Sequence, residues 1–253
     1  MSDPHPSSAS ISMPTAGRDE GSVLERAGAA VGAGARLGLG RLRSIELAWV
    51  ALLGLGLALA TGFIERRSGS FGAPDRTLGV VFRWLVPLES FAVVGLVLGR
   101  GRLGEGVWCL ARHGHARRDL ATGLQLSAMV VAALLAVATT VLALATAYSS
   151  LAGLGRDLAT SGWIAALGAA AYVAWFAFGA TALRFGRGRW LALLGDFVLG
   201  GSAGWWSVPW PRSHLRNLIG AEPPLGLAQA SSSVLLAAMV VVLALLGSLR
   251  SGD

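Results

Sequence analysis

The chain has 253 residues, of which 54% are hydrophobic and 14% charged, well below the roughly 25% charge of soluble domains. All 21 basic residues are arginine, which excludes a Walker A phosphate loop and Schiff-base chemistry, since both need a lysine amine. The net charge of +7 is dispersed between apolar runs rather than gathered on one face, so membrane topology explains it and no nucleic-acid partner is expected.

In chain order, residues 1–22 are rich in Ser, Pro and Asp and read as a disordered tail without a cleavable signal peptide. Residues 23–44 space leucines and arginines as a helix does, which suits an interfacial helix leading into a membrane. Its many glycines argue against it, each costing about 1 kcal/mol relative to alanine. Residues 45–250 then read as an all-α, polytopic bundle of six spans, at 46–64, 78–99, 120–148, 162–183, 190–206 and 228–248. The fifth is interrupted by Asp196 and the run Gly200-Gly201-Ser202-Ala203-Gly204. Before the sixth, residues 207–224 carry four prolines behind Trp205, Trp206 and Trp210, which suits a re-entrant or surface element on the outer side.

Arginine distribution sets the expected orientation. With the N-terminus inside, fourteen arginines fall on cytoplasmic segments and six on outer ones, so both termini are expected in the cytoplasm of a multi-pass bacterial inner-membrane protein. The insert at residues 100–118 is then cytoplasmic. It opens with Arg100 and Arg102, closes with Arg117 and Arg118, and places Leu103, Val107, Leu110 and Ala111 on one face of a helix, opposite Glu105 and Arg112. Such a helix fits a membrane surface or the groove of a partner.

Three groups of residues carry possible chemistry. Gly200–Gly204 matches G-x-S-x-G around Ser202, with His214 downstream, but a nucleophile elbow needs a strand-to-helix turn, whereas small residues ending a span are ordinary packing. Cys109, His113 and His115 are too few for a stable metal site. Glu89 and Asp196 lie inside predicted spans, where an ionised carboxylate costs at least about 2.5 kcal/mol. They read equally as interhelical contacts or as a transport path, and Pro87 permits a bend that would bring Arg83 toward Glu89.

Glu105-Gly106, Leu110, the basic pair Arg117-Arg118 and Gly123 follow the second span in an order that resembles the permease subunits of ABC-2 type transporters. His113-Gly114-His115 stands where that family usually has a proline. The resemblance implies an exporter or flippase subunit that is not itself an enzyme and holds no cofactor. ATP and Mg would belong to a cytoplasmic ABC ATPase partner. It also implies a homodimer or paired permease among membrane lipids, with Leu103, Glu105, Val107, Leu110, Arg117 and Arg118 forming the ATPase-docking segment. An assembly subunit of a larger membrane complex, a proton-coupled secondary transporter using Glu89 or Asp196, and an intramembrane hydrolase using Ser202 are the alternatives.

Overall fold

The computed structural model describes residues 20–69, 72–99, 101–149 and 153–252, and is helical with no strand among them. Arg100 and most of the expected N-terminal tail lie outside the described residues. Eleven α-helices follow in order: α1 (Glu20–Leu42), α2 (Ile45–Arg67), α3 (Ala73–Val80), α4 (Val86–Leu98), α5 (Leu103–Gly106), α6 (Trp108–Ala111), α7 (Arg117–Ala147), α8 (Leu154–Thr181), α9 (Gly188–Leu199), α10 (Pro211–Leu218) and α11 (Gln229–Arg250).

Among the described residues five helices are long and apolar enough to cross a membrane: α2, the continuous unit Ala73–Leu98 that holds α3 and α4, α7, α8 and α11. The sixth expected span is not among them. Residues 190–206 contain only α9, whose 12 residues cover about 18 Å of a hydrocarbon core about 30 Å thick. The helix stops because its Asp196 must be satisfied inside the protein and because Gly200 to Gly204 cannot sustain it. The chain leaves α9 through that run, makes a single 3₁₀ turn at Trp205–Ser207, and re-enters as α10 with Pro211 in its first turn.

Small residues decide how the long helices approach. On α1, the buried positions Ala30, Gly34, Gly38 and Leu42 recur every four residues, and α1 lies along the start of α7. A Cβ on Gly34 would stand 2.1 Å from the Leu120 carbonyl oxygen, and one on Gly123 would stand 1.9 Å from that of Val31. A helix is thus present where residues 23–44 were expected to form one, starting three residues earlier, and one of its faces is packed against the bundle. On α2 the only buried residues are Gly54, Ala58 and Gly62; a Cβ on Gly62 would stand 2.5 Å from the Ala143 carbonyl of α7. Away from that face α2 exposes large apolar side chains, among them Trp49, Leu52, Leu53, Leu57 and Phe63, as lipid contact requires.

The second span is not a plain α-helix. Residues Val81–Leu85 form a π-turn, closed by the Val86 N–H donating to the Val81 carbonyl. Pro87 explains it. Pro87 offers no N–H to the Arg83 carbonyl and its ring would clash there, and a one-residue widening relieves both. At the far end of α7, Tyr148 donates to Asp157 on the first turn of α8. That bond pushes the phenol up to about 12, so it survives across the physiological pH range.

Candidate functional site

The insert is two separate turns, α5 and α6, rather than one helix over residues 103–118. Its orientation also differs from the expectation. Leu103 and Val107 are fully buried in the common core, and Leu110 is half-buried against it, so the apolar face anchors the insert to its own bundle. A docking face made of those side chains is closed. Trp108 (55% exposed), Cys109, Arg112 and His113 are among the residues that remain open. The Arg117 guanidinium lies 4.6 Å from the Trp108 ring centroid, and Arg118 stands 3.5 Å from Asp119. Glu105 is exposed and folds back on its own turn, where its Oε2 accepts from the Arg102 N–H at 2.9 Å.

Arginines fasten the insert by binding carbonyls at helix ends, where unsatisfied acceptors and the negative end of the dipole favour a cation. Arg41 of α1 donates through Nη1 to Val97 at 2.6 Å and through Nη2 to Gly106 at 2.7 Å, joining α1, the end of α4 and α5. Arg102 Nε donates to the Leu183 carbonyl at 2.9 Å, holding a residue with a φ of 62° that leucine rarely adopts. Arg189 Nη1 donates to Gly99 at 2.8 Å. Gly104 packs against the Ser251 backbone just past α11, and Gly106 against Leu124 of α7. The last turn of α1 and the residue just past α11 therefore meet at the insert. Arg41→Ala is expected to cost about 2–3 kcal/mol, because two hydrogen bonds from a charged donor are lost and two carbonyls stay unpaired. Arg41→Lys should recover only part, since an ammonium lacks the planar fork. Thermal unfolding of the purified protein in detergent checks both, and equal stability of Arg41→Ala and the parent would refute the capping role.

The two intramembrane acids occupy different places. Glu89 of α4 accepts from Thr139 of α7 at 2.8 Å through Oε1, and the same oxygen lies over Gly54 of α2, where a Cβ would stand 2.0 Å away. Arg83 does not reach it; its guanidinium lies 5.5 Å from the Trp84 ring centroid instead. Asp196 is fully buried, accepting from the Tyr172 hydroxyl of α8 at 2.9 Å and from the Arg212 N–H of α10 at 3.1 Å. The acids thus have separate partners, Glu89 joining α2, α4 and α7, and Asp196 joining α8, α9 and α10.

Ser202 is exposed and donates to Leu199, whereas His214 is buried between the Val208 carbonyl at 2.7 Å and the Ser232 hydroxyl at 3.3 Å. The two do not form a nucleophile–base pair. Among the described residues no three His, Cys, Asp or Glu side chains cluster as metal ligands.

Tyr172 and Arg41 were missed by sequence reasoning. Tyr172 had a usable signal: α8 and α9 form a hairpin, in which Trp175 donates to the Ala192 carbonyl and Gly179 packs on Gly188. Tyr172 and Asp196 lie symmetrically about its turn. Arg41 had none, because nothing local marks an arginine that will cap another helix. No protein-family model, curated protein or solved structure matches the chain.

Proposed function

We propose that the chain is the membrane subunit of an ABC-2 type exporter or flippase, acting as a pair of copies in the bacterial inner membrane with a separate cytoplasmic ATPase. The observation that supports it best is the attachment of the insert. One compact knob is tied through Arg41 to α1 and α4, through Arg102 to the end of α8, and by close packing to α7 and α11. A load applied to its exposed Trp108, Arg112 and His113 would pass to most of the bundle at once, as an ATP-driven conformational change requires. An insert after the second span and a broken element before the last long helix also support the reading. The absence of lysine, which a Walker A loop needs, supports a reading in which another polypeptide hydrolyses the nucleotide.

Purification of the tagged full chain from its native membranes in mild detergent tests this reading. A P-loop ATPase should co-purify and hydrolyse ATP faster in the complex than alone. Trp108→Glu should weaken that association by about thirtyfold or more, the loss of about 2 kcal/mol typical of a central tryptophan anchor. Isolation without any ATPase, together with wild-type function in an Arg117→Glu/Arg118→Glu variant, would overturn it.

A further inference from the structure

At the end of the bundle away from the insert, a cleft of about 530 Å³ opens between the end of α2, α3, the π-turn, α9 and α10. This volume falls in the range of about 300–1,000 Å³ usual for ligand sites. Four arginines line it, Arg76, Arg83, Arg212 and Arg216, against a single lining carboxylate, Glu65. Glu65 is already taken, since Arg76 Nε holds its Oε2 at 2.8 Å. Arg216 donates to the Gly201 carbonyl.

Arg212 is the unusual member. It is only 3% exposed, its guanidinium lies 4.4 Å from the Phe197 ring centroid and 5.7 Å from that of Trp84, and its Nε and Nη1 have no hydrogen-bond partner in the protein. A buried cation stacked on aromatic rings gains some attraction from their faces, but unpaired N–H groups remain costly. The π-turn, Asp196 and the start of α10 all serve to hold it there. The Asp196 carboxylate fixes the Arg212 backbone N–H rather than capping its side chain.

We propose that this cleft binds the phosphate of an anionic amphiphile, with Arg212, Arg83 and Arg216 on the headgroup. The apolar walls continue from Trp84 to Leu88, one helical turn on, and both are 44% exposed. An acyl chain would leave the cleft along that stripe. The shared chemistry is a phosphate group, which a lipid headgroup or a free phosphate ion can supply, and the walls favour the lipid. The site needs no ATPase and stands apart from the transport reading.

The purified full chain in a neutral detergent, titrated with phosphatidylglycerol, phosphatidylcholine or inorganic phosphate and followed by native mass spectrometry, tests it. Phosphatidylglycerol should bind at least about tenfold more tightly than phosphatidylcholine, and Arg83→Gln should remove about tenfold of that affinity, the scale of one charge-assisted contact. Arg83 is exposed and makes only a ring contact, so this variant should fold; Arg212→Gln, with its helix content verified, should lose more. Displacement of phosphatidylglycerol by millimolar phosphate would support the anion site and assign its ligand to the aqueous phase. Equal binding of the two lipids, or affinities unmoved by Arg83→Gln and Arg212→Gln, would overturn the proposal.

Discussion

Valine in place of Gly123 is expected to separate α1 from α7 and to cost stability at or above the upper end of the range of about 1–3 kcal/mol seen for overpacking. The size follows from what the new side chain meets. A Cβ there would stand 1.9 Å from the Val31 carbonyl oxygen and 2.7 Å from the Ala35 nitrogen, and backbone atoms inside a helix cannot rotate away as a side chain tip can. The whole of α1 would have to move, taking with it the Arg41 bonds to Val97 and Gly106. Thermal unfolding in detergent should show the loss, and protease should cut within α1 earlier than in the parent. Gly28→Ala, on α1 itself, supplies the opposite sign. Nothing lies within 4 Å of a Cβ at Gly28, so alanine should stabilise α1 by up to about 1 kcal/mol. If Gly123→Val and Gly28→Ala behave alike, close packing is not what the α1 glycines serve.

That contrast explains which parts of the molecule were legible in advance. Long apolar helices announce themselves through composition, and four of the six expected spans each overlap one long helix, while 78–99 overlaps the unit of α3 and α4, ending one residue beyond it. Glycine is ambiguous. Read one residue at a time, the glycines of residues 23–44 weaken a helix, yet Gly34 and Gly38, spaced with Ala30 and Leu42, form the surface that lets α7 approach. The same four-residue spacing recurs at Gly54, Ala58 and Gly62, the buried face of α2. Apolar periodicity likewise found the buried face of the insert but not its partner: Leu103 and Val107 face the bundle, because periodicity reports that a face is covered without reporting by what. Broken elements are hardest. The Gly200–Gly204 run marked the place where the fifth span fails, but the seating of α10 depends on Asp196, Tyr172 and Arg212 meeting across three helices. Such a contact between distant positions leaves no local pattern.

Asp196→Ala is expected to be the most damaging single polar substitution, with a loss of about 2–5 kcal/mol, because two buried donors lose their shared acceptor. The carboxylate is the acceptor for two donors from different helices, the Tyr172 hydroxyl and the Arg212 N–H, and each buried donor left unpaired costs about 1–3 kcal/mol. It is also a negative charge beside the buried Arg212 side chain. Tyr172→Phe removes one donor and leaves the other bond in place, so it should cost only about 1 kcal/mol. Because the two residues share a bond, the double variant Tyr172→Phe/Asp196→Ala should be less damaged than the sum of the singles, with a coupling of about 0.5–3 kcal/mol. Thermal unfolding of all four proteins closes that cycle. Strict additivity would mean that Tyr172 and Asp196 are not partners, and a parent-like Asp196→Ala would mean that α10 is seated by its apolar contacts alone. The cycle also bears on transport. A carboxylate that only carried protons would tolerate loss of its partners in the resting fold, whereas one that holds α8, α9 and α10 together must fail in stability before it fails in turnover.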